Sequence, residues 1–211
     1  MDRDLRLAAV VLAAGAGTRF GAEPGSKLLA EVAGRPLLER VLEVVRQFAP
    51  VATVVVLGHG AARIEEAIDW AGELRIRNHD PDRGLASSLQ IGIDALRALP
   101  ESLDGAFIIL GDQPALRVDV LRALADAAVR ARPADRPAVV PRYDAAEGAR
   151  NPVLLLRPAW SWVDDLEGDR GLAPIMAQRP DALLEVPVPG TMPDVDTPED
   201  LERLQRPGGA R

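Results

Sequence analysis

The sequence contains no cysteine, which excludes thiolate catalysis, cysteine-ligated metal centres and disulfide bridges. Histidine occurs only twice, as His59 and His79. Neither lies at a recognisable spacing from a nucleophilic serine, so both read as loop histidines. Aromatic residues make up only 3% of the chain. The core must therefore rest on Ala, Leu and Val, the composition of helices packed on a parallel sheet. No apolar run reaches the length of a membrane span, and the opening MDRDLRL carries no apolar signal segment. The net charge of −7 argues against nucleic acid and anionic membranes as partners, while leaving room for a local cationic site that takes a small anion. These absences describe a soluble protein of a reducing cytoplasm.

What remains is ordinary for a soluble globule: 211 residues, 47% of them hydrophobic, enough for a full α/β core. No repeat or linker divides the chain, so residues 1–206 read as one domain followed by a disordered tail at 207–211. Short apolar runs recur at Leu7–Ala13, Ala52–Leu57, Leu74–Arg77, Ala106–Leu110, Ala138–Pro141, Val153–Leu156 and Leu183–Val188. Helix-period segments fall between most of them: one opened by Pro36, then Ala61–Trp70, Ser87–Leu99, Val118–Arg132 and Thr197–Leu204. This alternation predicts a single doubly wound, mainly parallel sheet with helices on both faces.

The stretch VVLAAGAGTRFGAEPGSKLL (10–29) breaks a strand-like run into a glycine-rich loop whose nearest charges are Arg19, Glu23 and Lys27. A Rossmann fingerprint needs its third glycine one residue earlier and an acid after the second strand to hold a ribose; here that strand ends in Gly58-His59. A Walker A loop needs Gly directly before Lys, and Ser26 stands there. No helix signal appears between Ala13 and Arg35, whereas both look-alikes start a helix at once. Loop amides with one Arg and one Lys can wrap a triphosphate, and a surface loop with solvated charges fits equally well.

Acidic residues stand at two further strand-end positions. AFIILGDQP (106–114) puts Asp112 just past an apolar strand, and PDVDTPEDL (193–201) puts Asp194 and Asp196 just before a helix capped by Thr197. In open parallel sheets the ligand crevice lies beyond the carboxyl ends of the strands, so both stretches can face the loop. Two carboxylates meeting there suit Mg²⁺, which takes one or two acids, waters and phosphate oxygens. Read singly, Asp112 is a turn residue and Asp196 a cap neighbour. An attacking phosphate is already anionic and needs no general base, which accounts for the absence of acid–base machinery.

L-A-A-G-x-G-x-R-x-G at 12–21, then Lys27 and GRPLL at 34–38, resembles the signature of the MobA-like NTP transferase family. In that family Pro often directly precedes the Lys, but here Pro24 is two residues further away. The resemblance implies a nucleotide-diphospho-sugar transferase-like, Rossmann-like fold and transfer of a nucleoside monophosphate from an NTP to a phosphorylated acceptor. It implies that Leu12, Ala13, Ala14, Gly15, Gly17 and Lys27 bind the nucleotide. Arg19, Lys27 and Asp112 would act in catalysis, and Asp112 and Asp196 would hold the metal.

NHDPDRGLASSLQIGI (78–93) is similar to a nucleotide-adjacent stretch of molybdenum cofactor cytidylyltransferases, with Leu85 where Met is usual. This adds Asn78, Ser87 and Ser88 to the nucleotide side and favours CTP over GTP, although helix capping by Ser87 accounts for the serines equally well. RNPVLLLRPAW (150–160) and LEGDRGLAPIM (166–176) resemble acceptor-side stretches, implying roles for Asn151, Asp169 and Gly171. Arg150 stands where Gly is common, either on an acceptor phosphate or in solvent. The implied reaction is Mg²⁺-dependent transfer of CMP to the phosphate of molybdopterin with release of pyrophosphate. The implied partners are a molybdenum hydroxylase or its maturation chaperone. Guanylyl or other nucleotidyl transfer to a different phosphorylated acceptor, a nicotinamide-dependent dye oxidoreductase and a non-catalytic carrier are the alternatives.

Overall fold

The computed structural model describes residues 5–17, 20, 23, 25–130, 135–145, 150–193 and 195–205. The elements, in chain order, are β1 (Leu7–Ala13), α1 (Ser26–Leu29), β2 (Glu31–Val32), β3 (Arg35–Pro36), α2 (Leu37–Phe48), β4 (Thr53–Leu57), α3 (Ala61–Ala67), β5 (Leu74–Arg77), α4 (Leu85–Arg97), β6 (Gly105–Leu110), α5 (Val118–Arg130), β7 (Ala138–Tyr143), β8 (Val153–Leu156), α6 (Ala173–Gln178), β9 (Leu183–Val188) and α7 (Pro198–Gln205); all were expected except α1, β2, β3 and α6. Single 3₁₀ turns occupy Pro81–Arg83, Gly168–Arg170 and Pro180–Ala182, and a longer 3₁₀ segment occupies Arg157–Val163.

Seven strands form one sheet in the order β5-β4-β1-β6-β8-β7-β9. All run parallel except β8, which is antiparallel to both β6 and β7. β1 is buried throughout because it lies mid-sheet and is covered on both faces. The two-residue period of a strand divides its side chains. Leu7, Ala9, Val11 and Ala13 face one core with Leu38, Leu42, Ile64, Leu121 and Leu124; Ala8, Val10 and Leu12 face the other with Leu89, Ile93, Trp160 and Met176. Helices α2, α3 and α5 thus cover one face, and α4, α6 and the 157–163 turns cover the other.

Strand register sets the site. Ala13 pairs with Leu57, Leu12 with Leu110, and Leu57 with Arg77, so β1, β4, β5 and β6 end together at one edge. Strands β4 and β5 lie to one side of β1 and β6 to the other, which makes the β1–β6 boundary the topological switch point. Because β8 runs backwards, with Ile108 paired to Val153, its beginning reaches that same edge.

Several local expectations are corrected. A one-turn helix (α1) and the β2–β3 hairpin occupy the stretch between Ala13 and Arg35 that lacked a helix signal. They are stabilised by tertiary packing of Val32 and Leu37 against Val195 rather than by periodicity. Pro36 closes β3 and flanks α2 instead of sitting inside its first turn. Helix α3 stops at Ala67, and α4 begins at Leu85 rather than at Ser87. Residues 131–134 and the expected tail at 207–211 lie outside the described residues.

Candidate active site

Lys27, on the single turn of α1, is 8% exposed. Its Nζ donates hydrogen bonds to Asp112 Oδ2 at 2.7 Å and to Asp196 Oδ1 at 2.8 Å. These contacts join positions 85 and 169 residues apart in sequence. Burial alone would lower the Lys27 pKa. The two carboxylates outweigh it and hold the value above that of a free lysine, so the ammonium stays charged.

Each partner is placed by its own backbone. Gly111 N–H donates to Leu12 O at 2.9 Å, which extends the β1–β6 ladder and delivers Asp112 beside the exit of β1. Ahead of α7, Asp200 Oδ2 accepts from Asp196 N–H at 3.2 Å and Thr197 N–H at 3.0 Å, while Asp200 N–H donates to Thr197 Oγ1 at 3.3 Å. This is a reciprocal cap in which Asp takes the usual Glu position. Hydrogen bonds from Thr197 hold the Asp200 carboxyl below its usual pKa. The cap therefore does not consume Asp196: Thr197 and Asp200 start the helix, and the Asp196 carboxylate is left to face Lys27.

The glycine loop passes directly over the lysine. Gly17 has φ +62°, and a Cβ there would lie 2.9 Å from Lys27 Cβ. Only glycine satisfies both the left-handed backbone and the clearance. Arg19 and Asp194 lie outside the described residues.

A cavity of about 440 Å³ opens beside this centre, its lining including Leu12, Ala14, Gly15, Gly17, Ser88, Asp112 and Asp169. Four expected nucleotide-side residues do not line it: Lys27, which is held between Asp112 and Asp196, and Ala13, Asn78 and Ser87. Ala13 points into the opposite core. Asn78 is buried, and its Nδ2 donates to Ser87 Oγ and Ser88 Oγ, both at 2.9 Å. Ser87 lies within the first turn of α4, where its hydroxyl donates to Gly84 O at 2.8 Å, so Gly84 and not Ser87 flanks the helix start. Asn78 and Ser87 thus tie the end of β5 to α4 and present only Ser88 to the cavity.

A second cavity, about 670 Å³, shares the wall of Leu12, Leu85 and Leu110. Ile108, Val153, Leu172, Met176 and Met192 make it apolar, with Gln113, Asn151, Arg150 and Arg170 as its polar groups. Of the three residues expected on the acceptor side, Asn151 and Gly171 line this cavity and Asp169 does not. Asp169 Oδ1 accepts from Leu85 N–H at 3.2 Å at the start of α4, on the side of the smaller cavity. Arg150 lines the cavity and pairs with Glu185 at 3.4 Å, so it is not simply in solvent. Tyr143 donates to the Asn151 carbonyl at 2.9 Å, and burial pushes its phenol well above the usual range.

Sequence reasoning also missed residues. His59, expected as a plain loop histidine, lines the smaller cavity with Asp82, its Nε2 2.9 Å from Asp82 Oδ1. Nothing local marks the pair; only the shared strand edge brings it together. The spacing rule that placed Asp112 two residues past β6 could have flagged His59 two residues past β4.

The residues present fit a divalent cation. Asp112 and Asp196 already converge on one cationic group, and no cluster of three or more His, Cys, Asp or Glu side chains occurs among the described residues. Two carboxylates completed by phosphate oxygens and water is the donor set Mg²⁺ prefers. No helix among the described residues is long and apolar enough to cross a membrane.

The MobA-like NTP transferase domain matches residues 9–183. The crystal structure of Rv0371c from Mycobacterium tuberculosis superposes with a TM-score of 0.81 at 28% identity, covering 96% of this chain and 98% of that one. Rv0371c in complex with manganese gives 0.77 at 27% identity, covering 95% and 98%. The bifunctional protein GlmU of Novosphingobium aromaticivorans is 36% identical over 138 residues, which is 65% of this chain and 28% of the relative. The chain thus spans about a quarter of the length of the curated relatives it matches. From strand order to the matched span, these observations agree: the chain belongs to the MobA-like NTP transferase family and is a nucleotidyltransferase domain.

Proposed function

We propose that the protein transfers CMP from CTP to the phosphate of a pterin-type acceptor, molybdopterin, and releases pyrophosphate. The observation that carries this reading is the pair of adjoining cavities. One is bordered by the glycine loop and the charged centre; the other is apolar, with two arginines among its lining residues. A flat ring system with one phosphate matches apolar walls beside Arg150 and Arg170 better than a sugar does, because a sugar's hydroxyls need many buried partners. The choice of cytidine rests on the resemblance of residues 84–89 to cytidylyltransferase sequences.

In this reading the amides of residues 14–17 and the Lys27 ammonium bind the triphosphate. Arg150 and Arg170 orient the acceptor phosphate, one oxygen of which forms a bond to the α-phosphorus. The bond from that phosphorus to the α–β bridging oxygen breaks, and pyrophosphate leaves with the electron pair. No proton need be removed from the attacking group, so positioning and charge neutralisation carry the rate. Asp112 and Asp196 would hold Mg²⁺, which supplies charge neutralisation at the phosphates when bound. The Lys27 ammonium lies between the two carboxylates and offsets their mutual repulsion. A molybdenum hydroxylase or its chaperone would then receive the nucleotide-bearing cofactor.

The test is pyrophosphate release with each of CTP, GTP, UTP and ATP, against molybdopterin, a sugar phosphate and phospholactate, with Mg²⁺ and after chelation. CTP with molybdopterin should give the signal, and chelation should abolish it. Release with GTP or with a sugar phosphate would transfer the reading to that substrate. Metal-independent NADPH oxidation by a dye would replace it altogether.

A further inference from the structure

The sequence lacks the acid that dinucleotide-binding Rossmann units place after their second strand to hold a ribose. The next strand of the main sheet after β1 is β4, which ends at Leu57 and is followed by Gly58-His59 rather than by a carboxylate. The tertiary structure supplies one from elsewhere. His59 Nε2 lies 2.9 Å from Asp82 Oδ1, 23 residues on, and both side chains line the cavity that the glycine loop borders. We infer that Asp82, held at the end of β4 by His59, forms the ribose subsite and accepts the sugar's vicinal hydroxyls. This deepens the proposed function and rests on it.

The carboxylate stands on a built platform. Asp82 lies in the 3₁₀ turn Pro81–Arg83, whose closing bond runs from Gly84 N–H to Pro81 O at 3.0 Å. Asp80 N–H donates to Asn78 Oδ1 at 3.0 Å, and the Asn78 amide is itself fastened to Ser87 and Ser88. Asn78 N–H in turn donates to Leu57 O at 2.7 Å, at the end of β4. His59 N–H donates to Ala14 O at 3.3 Å, which ties the imidazole's backbone to the glycine loop. The subsite is therefore referenced to the phosphate side by a chain of hydrogen bonds rather than by a free loop.

Burial distinguishes the two partners. The Asp82 side chain is 83% exposed and the His59 side chain 27%. A contact with one partner so exposed adds little to stability. Its placement in the cavity wall therefore calls for another role, and a carboxylate with one oxygen oriented by an imidazole is matched to two neighbouring O–H donors. The phosphates would lie over residues 14–17 near Lys27 and Asp112, and the sugar at the His59–Asp82 end.

The experiment compares CTP, 2′-deoxy-CTP, 3′-deoxy-CTP and UTP by calorimetry on the wild type and on Asp82→Ala, Asp82→Asn and His59→Gln. Wild-type protein should bind CTP more tightly than either deoxy analogue by roughly tenfold, the scale of one hydrogen bond to a charged group. Asp82→Ala should bring the three together, and His59→Gln should fall between. Melting temperatures should stay close to the wild-type value. If wild-type protein discriminates ribose and Asp82→Ala keeps the full ratio, the subsite lies elsewhere and the inference is overturned. If instead Asp82→Ala narrows the CTP to UTP ratio, the carboxylate reads the base and the ribose assignment is wrong. If no triphosphate binds the wild type, it is the proposed function that fails.

Discussion

The two cavities share a wall of Leu12, Leu85 and Leu110 yet are made in opposite ways. The smaller one is bounded by backbone and charge. Its glycine-loop, His59 and Asp112 walls follow the ends of parallel strands, while Gly84, Leu85 and Ser88 come from the start of α4 and Asp169 from the turn at Gly168–Arg170. The larger one is bounded mostly by aliphatic side chains from β6, β8, α6 and the 168–172 segment. Strand β8 contributes its beginning rather than its end, because it runs against its neighbours. A polyphosphate needs many amides and a few fixed charges, which one loop can supply. A ring-shaped acceptor needs area, which only several elements packed together can supply.

Asp112→Ala should do the most damage and strike the polar side alone. Turnover should fall by roughly a hundredfold or more under saturating metal, with the circular dichroism spectrum unchanged. Near-normal turnover would remove Asp112 from the chemistry and with it the functional distinction between the cavities.

Gly84→Ala attacks the seam. Gly84 has φ +94°, and a Cβ there would lie 2.4 Å from the Gly168 carbonyl carbon and 2.6 Å from Asp169 Oδ1. The turn that walls the larger cavity must move off the start of α4. A loss of about 1–3 kcal/mol in chemical denaturation is expected, together with higher KM values for nucleotide and acceptor alike. A change in only one KM would show that the two sides are built independently.

Arg150→Ala should touch only the apolar side, raising the acceptor KM about tenfold while calorimetric affinity for CTP stays constant. Equal weakening of both substrates would place Arg150 on the wrong side of the wall.

Smaller effects probe the frame. Burial alone would raise the Glu73 pKa, but a hydrogen bond from Arg46 at 2.7 Å and one from Ala71 N–H at 2.8 Å override it and leave the value below normal. Glu73 therefore stabilises the fold above its ordinary pKa, and that contribution is lost as pH falls through the lower folded value. Glu73→Gln should flatten the acid limb of the melting-temperature profile and leave both cavities alone. Smallest of all, Ala49 ends α2 at φ +57°, where glycine is preferred. Ala49→Gly should stabilise by about 0.5–1 kcal/mol with both KM values unmoved.

Much of this was legible before folding. Continuous apolar runs marked β1, β6 and β8 because strands buried on both faces have no polar side to show. Loop residues 14–17 and Asp112 were legible because each directly follows such a run. The roles of Asn78 and Ser87 were not. Their side chains bond to one another, and a propensity for capping looks the same whether the hydroxyl faces a helix end, an amide or a cavity.

Local physics thus determined the alternation of strands and helices, the glycine loop, the cap at Thr197 and the acids at element boundaries, since each depends on neighbours within a few residues. Tertiary structure alone decided that Lys27 would sit between Asp112 and Asp196, that His59 would meet Asp82, and that a reversed β8 would bring Asn151 to the crevice. Those meetings join groups 23 to 169 residues apart. Hydrophobic burial fixes strand order and register first, and the side chains at the shared edge then take the partners that the register delivers.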